Sequence, residues 1–466
     1  MLRGMNAAPA VLALAAAACG AAADAGPTPA PLARSIFQEL VEIDTSQSTG
    51  DTAKAARAMG ARLTAGGLPA ADVKVLESAP KRGNLVARYR GTGKRKPLLL
   101  MAHIDVVEAR RADWSTEPYK LIEKDGYYYG RGTSDDKAMA AAWVALLVRF
   151  KQEGYKPDRD LILVLETDEE ISDENHLGIT WLIEKHRDLL AAELALNEGA
   201  GVGLKNGKAV YNGIQTSEKL FQSYWLEVRN TGGHSSLPRK DNAIYQLADA
   251  LARLERYEFP VELNDTTRAY FQRLSQTPNP NAADMRAVLA AKPDKAAVDR
   301  LAAVPLYNAM LRTTCVATRL EAGHADNALP QLARAMVNCR VLPGHSPDEI
   351  QQTLAKVLAE PKLAITAVRK DTASAPSPID KELFGVVEKL TAKYWPGAAV
   401  VPTMSTGATD GRYLRNIGIP TYGHSGLAGD IDDVRAHGKD ERVGVKAFAD
   451  EQQYLYELVK ALAGGQ

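Results

Sequence analysis

Lys96-Pro-Leu-Leu-Leu-Met101-Ala-His103-Ile-Asp105-Val-Val107 decides the fold. Its apolar run is unbroken, short for a helix, and closed by a His-x-Asp; this is the pattern of a strand buried on both faces. Residues 160–166 and 193–197 repeat the pattern. Between them, residues 133–150 open on Ser134 and two aspartates and continue in Ala-rich helix formers. Acidic groups there suit the positive end of a helix, and another helix starts near His176. From residue 33 to about 213, strand and helix alternate, which predicts an α/β sheet covered by helices.

Working outward, residues 217–370 change order. Strand 220–229, helix 242–257, strands 313–320 and 333–342, helix 347–359 and strand 364–369 form a βαββαβ module. A Pro- and Ala-punctuated stretch, residues 264–311, enters it as a helical excursion. From residue 379 the chain returns to α/β character. The expected organisation is therefore one discontinuous domain, residues 26–214 and 373–466, interrupted by a module at 215–372. If the strands at 313–320 and 333–342 pair with Glu321 opposite Ala333, Cys315 falls opposite Cys339, where an oxidising compartment permits a disulfide and a reducing one leaves two thiols.

Bulk composition bounds the rest. The chain has 466 residues, of which 45% are hydrophobic and 24% charged, enough to bury a sizeable core. Lys plus Arg and Asp plus Glu both total 57, so no basic excess points to nucleic acid. At the start, Arg3 precedes an apolar stretch from Ala8 to Ala18, and Ala23-Asp24-Ala25 follows. This reads as an export signal at residues 1–25, too short for the ~20 apolar residues that span a bilayer, and it predicts a periplasmic or secreted protein. Cys19 follows Ala16-Ala17-Ala18, which lacks the larger aliphatic residue of a lipoprotein signal, so lipid anchoring is not favoured.

Five segments gather His, Asp and Glu at the expected ends of strands, where open α/β sheets bind ligands. They are Met101-Ala-His103-Ile-Asp105, Gly130-Arg-Gly-Thr-Ser-Asp135-Asp136-Lys137, Glu166-Thr-Asp168-Glu169-Glu170, Asn197-Glu198-Gly199 and Ala436-His437-Gly438-Lys-Asp440-Glu441. Singly, each reads as a cap or a solvated charge pair. Together they offer imidazole and carboxylate without thiolate, which suits zinc with exchangeable positions better than a closed structural site. Two ions bridged by one carboxylate would hold and acidify a water. Of the pair Glu169-Glu170, one binds metal while its neighbour stays free to move the water's proton.

These segments resemble the co-catalytic zinc peptidase family that contains carboxypeptidase S, Gly-Xaa carboxypeptidase, glutamate carboxypeptidase, aminoacylase and succinyl-diaminopimelate desuccinylase. The similarity runs from about residue 33 to the end. It implies a zinc-exopeptidase-like α/β catalytic domain, with a mixed, mostly parallel sheet, and an inserted lid and dimerisation domain. It implies His103 and Glu198 on one zinc, Glu170 and His437 on the other, Asp135 bridging, Asp105 orienting His103, and Glu169 as general base. Cobalt or manganese would fit the same donors. In the lid, Gly232-Gly-His234-Ser-Ser matches the segment whose His stabilises the oxyanion, often across a homodimer. Asn327 and Arg340 match positions that hold the substrate, Arg340 by a forked grip on its carboxylate. Thr406-Gly-Ala-Thr409-Asp410-Gly-Arg412 matches a pocket loop. Ala138 and Asp440 depart from the family's Gly and Asn without removing a ligand.

The implied activity is hydrolysis of a peptide or N-acyl amide bond beside a free carboxylate, as a carboxypeptidase or dipeptidase on short peptides. The alternatives are an aminoacylase on N-acyl amino acids and, outside enzymes, a non-catalytic periplasmic peptide-binding protein. Filled ligand and base positions speak against the last. His176, His186, His324, His345 and His424 have no spacing argument and read as structural, with His424 the nearest of them to the pocket loop.

Overall fold

Strand Leu98–His103 is buried along its whole length, and its side chains divide between two cores. Leu98, Leu100 and Ala102 enter one, Leu99 and Met101 the other, the period of two that a doubly covered sheet requires. Leu161–Glu166 does the same, with Leu161, Leu163 and Leu165 against Ile162 and Val164. The computed structural model describes residues 30–171, 177–369 and 372–466. The expected export signal, Cys19 and His176 lie outside the described residues.

The large sheet has ten strands. Leu161–Glu166, Leu98–His103, Leu194–Asn197 and Thr421–Gly423 run parallel at its centre, and antiparallel pairs flank them, so the sheet is mixed. One face is covered by Pro31–Glu42, Thr52–Ala65, Lys137–Glu153, Lys381–Tyr394 and Val445–Ala463. The shorter Ile179–His186 and Gly411–Asn416 pack on the other. Because the central strands are parallel, their C-terminal ends share one edge, and His103 and Asn197 end their strands there.

A second sheet is antiparallel throughout, in the order Thr314–Ala322, Leu332–Val341, Leu220–Arg229, Leu363–Ala367. Its two middle strands alternate buried and half-buried residues, with helices Ala243–Arg256 and Pro347–Leu358 closing the buried side. The βαββαβ reading of the sequence matches this element order. Cys315 and Cys339 are cross-strand partners and form a disulfide. The far end of the pair differs from the expected register: Glu321 faces Arg334, and a bulge between Ala317 and Arg319 absorbs the extra residue.

The helical excursion behaves differently from the sequence expectation. Its helices Asp265–Leu274, Ala282–Ala287, Lys295–Ala302 and Pro305–Leu311 share a core with Val401, and Ala399 and Tyr211 pack against it. It therefore leans on the large sheet rather than forming a loop of the lid. A cavity of about 1040 Å³ opens where residues 264–266, 343–347 and 372–379 meet, at the crossing between the two modules.

Candidate metal and catalytic centre

At the C-terminal edge of the parallel strands the five acidic and histidine-bearing segments converge. His103 is sealed at 1% exposure; its Nε2 lies 2.9 Å from Asp135 Oδ1 and its Nδ1 3.1 Å from the Asp105 carbonyl. His437 Nε2 lies 2.8 Å from Glu170 Oε1 and 3.2 Å from Asp135 Oδ2. Asp135 thus presents one oxygen to each imidazole. Donor atoms of His103, Asp135 and Glu198, of His103, Glu169 and Glu170, and of Asp135, Glu170 and His437 form three groups, each spanning no more than 4.8 Å.

Asp105 does more than face His103. Its carboxylate is 3.6 Å from Nδ1, beyond hydrogen-bond length, and it accepts the backbone N–H groups of Glu169 at 3.2 Å and Glu170 at 3.0 Å. One side chain therefore locks the loop that carries both glutamates to the strand that carries His103. Preceding them, Asp168 sits in the left-handed region at φ 67°, as does His437 at φ 61°. Non-glycine residues hold this conformation only where surrounding bonds impose it.

Electrostatics are lopsided. Burial drives the carboxyls of Glu169 and Glu198 well above the ordinary range, Glu169 further through the charge of Glu198, and Glu198 through those of Asp135, Asp136 and Glu170. Burial alone would lower His103, but Asp105, Asp135 and the charge of Glu198 hold it well above its usual value. The bonds from Asp135 and Glu170 push His437 up to about 10. Such crowding of acid in a buried edge calls for bound positive charge.

Two residues without an assigned role in the sequence reading assemble the centre. Glu441 is wholly buried and accepts from the backbone N–H groups of Gly132 at 3.0 Å, Ser134 at 2.7 Å and Asp135 at 3.1 Å, and from Ser134 Oγ at 2.9 Å. Arg131 pairs with Glu441 at 2.7 Å and donates to the carbonyls of His437 at 3.2 Å and Gly438 at 3.1 Å. The signal for both was an Arg and a Glu left over inside otherwise assigned segments. Asp135 and Asp136 stand at the start of the helix as the sequence suggested, but the helix begins at Lys137 with no side-chain cap from Asp136.

The remaining expected site residues lie in the second module. His234 is exposed on Gly233–His234, which pairs with Ala328–Leu329, and the Asn327 carbonyl accepts from Ser235 N–H at 3.0 Å. The side-chain hydrogen bonds of His234 are to Ser236, none to the acidic centre, among the described residues. Arg340 stands half-buried on the face of the sheet away from the helices, 4.6 Å from the Phe221 ring centroid. Thr409 ties the pocket loop to Glu218 at 2.7 Å, and Arg415 pairs with Glu218 at 3.1 Å. His424 is not a pocket residue. It is fully buried between the Gly213 carbonyl at 2.7 Å and Tyr454 Oη at 2.6 Å, and burial lowers it to about 4.

The sequence profile of peptidase family M20/M25/M40 matches residues 99–461. The chain belongs to this family. It is 30% identical over 375 residues to the human N-fatty-acyl-amino acid synthase/hydrolase PM20D1, covering 78% of this chain and 74% of that one. It is 28% identical over 391 residues to the probable carboxypeptidase S-like 2 of Dictyostelium discoideum, covering 81% and 74%. In fold it is similar to the M20 family metallo-carboxypeptidase Sso-CP2 from Sulfolobus solfataricus, with TM-score 0.70 at 19% identity over 92% of this chain and 98% of that one. As a member of this family the chain is a hydrolase whose chemistry depends on metal.

Proposed function

We propose that the chain is a di-zinc amidohydrolase that cleaves an amide bond beside a free carboxylate. The observation that carries this reading is Asp135, which offers one oxygen to His103 and the other to His437 in a buried, acid-rich edge. The donors fit two divalent ions: His103 and Glu198 for one, Glu170 and His437 for the other, and Asp135 between them. Zinc bound there would polarise the scissile carbonyl and acidify the attacking water. Glu169, half-buried and held by Asp105 through its backbone, takes the proton of that water and returns it to the leaving amine.

Substrate selection falls to the second module. Arg340 takes the carboxylate through its planar fork and Asn327 assists, while His234 completes the oxyanion pocket from a partner copy in a homodimer or after lid closure. N-acyl amino acids and short peptides both present this carboxylate. The likeness to PM20D1 favours N-acyl amino acids, and the likeness to carboxypeptidase S-like 2 favours peptides. A panel of dipeptides and N-acyl amino acids, offered to zinc-loaded protein, tests the reading. Release of the free amino acid supports it; no turnover on any member overturns it. Zinc titration and sedimentation check the metal number and the dimer, and export to the periplasm is checked by fractionation.

A further inference from the structure

Around Arg340 the lid carries positive charge that no carboxylate neutralises among the described residues. Phe221 and Thr314 are the cross-strand partners of Arg340 on its two sides, so the three side chains form one row across the sheet. The guanidinium lies over the Phe221 ring at 4.6 Å. Lys219 precedes that strand, fully buried, and among the described residues its ammonium donates to the Arg312 carbonyl at 2.7 Å and to Thr314 Oγ1 at 3.4 Å. Thr314 therefore touches Lys219 and flanks Arg340. Among the described residues neither cation has a carboxylate partner. Glu218, next in the chain, is taken by Arg415 and Thr409, and Glu258 by Arg312.

Desolvated cations without counter-charge are costly, and sites keep them where a ligand supplies the missing anion. Burial pushes Lys219 down to about 7, with the charge of Arg340 acting in the same sense, and burial lowers Arg340 as well. A ring face beneath a guanidinium fixes its plane while leaving its N–H edge free, the orientation a carboxylate needs for two parallel bonds.

We propose that Phe221 and Lys219 are positioning residues of the carboxylate subsite, Phe221 as the platform that aims Arg340 and Lys219 as a sealed amine whose protonated form deepens the local positive potential. This rests on the assignment of Arg340 to the substrate carboxylate. Lys219 has no exposed surface, so it acts through its field and not by contact.

The test compares a free-acid substrate with its C-terminal amide on one preparation of zinc-loaded protein, so that any misfolded fraction cancels from the ratio of kcat/KM values. Phe221→Leu, which keeps an apolar side chain without a ring, and Lys219→Met should each lower the acid-to-amide ratio about tenfold, with the loss in KM for the acid. Phe221→Tyr, which keeps the ring, should preserve the ratio. If Arg340→Met collapses the ratio while Phe221→Leu and Lys219→Met leave it at the wild-type value, the proposal is overturned and the role of Arg340 stands. If Arg340→Met leaves the ratio unchanged, the carboxylate assignment itself fails.

Discussion

The acidic edge of the large sheet and the open face of the small one carry opposite imbalances. At the first, carboxylates from five segments crowd two imidazoles, and several are forced toward their protonated forms. At the second, Arg340 and Lys219 stand without an anion among the described residues. Each region is electrostatically incomplete in a way a ligand would correct, divalent metal at one and, on the proposed function, substrate carboxylate at the other. The difference also lies in construction. The edge is built from loops at the ends of buried parallel strands and is over-determined by backbone hydrogen bonds; the lid presents its residues in regular register on a half-exposed antiparallel face.

The comparison can be broken at its strongest point first. Glu169→Gln should cut turnover by about 10²- to 10⁴-fold while zinc content stays at the wild-type level; near-normal activity would remove Glu169 from the mechanism. Next, Glu441→Gln should loosen the loop that presents Asp135 and weaken metal affinity about 10- to 100-fold, read by competition with a chelator. An unchanged affinity would mean that the loop holds its shape without Glu441. On the other side, the disulfide spans a separation of 24 residues within the lid. Its loss in Cys315→Ser with Cys339→Ala should cost about 3 kcal/mol in the unfolding of that module, with zinc binding unaltered. A fall in zinc affinity would show the two regions to be coupled more tightly than their separate cores suggest.

The smallest effect concerns pH. His424 is held near 4 in the folded chain against 6.5 when free, so the unfolded chain binds more protons between these values and stability falls as pH drops from 6.5 toward 4. Between pH 7 and 5 this amounts to about 2 kcal/mol, and His424→Gln should flatten that part of the melting-temperature profile. An unaltered slope would assign the acid sensitivity to other groups.

Much of this was legible before any coordinates. Unbroken apolar runs located the central parallel strands because burial on both faces leaves no polar position. The disulfide partners followed from register. The bulge between Ala317 and Arg319 did not, since a one-residue insertion leaves no mark in a polar edge strand. The metal-centre side chains were visible as His, Asp and Glu at strand ends. Glu441 and Arg131 were hidden because their work is to satisfy backbone groups, which depends on how two distant loops meet. His424 is structural, as the sequence suggested; its closeness to the pocket loop in sequence did not reveal its burial between Gly213 and Tyr454. The excursion at 264–311 was recognisable as helical, but its apolar faces could not reveal which of two sheets they would cover.

The Glu441 clasp also sets an order of events in the making of the protein. It joins Ser134 to a residue 307 positions later, and His437 arrives with the same final segment. A nascent chain that has built every parallel strand of the early sequence still lacks both the last imidazole and the carboxylate that shapes the Asp135 loop. A chain cut short before His437 therefore lacks both the last imidazole and the clasp, however much of the parallel sheet it has built.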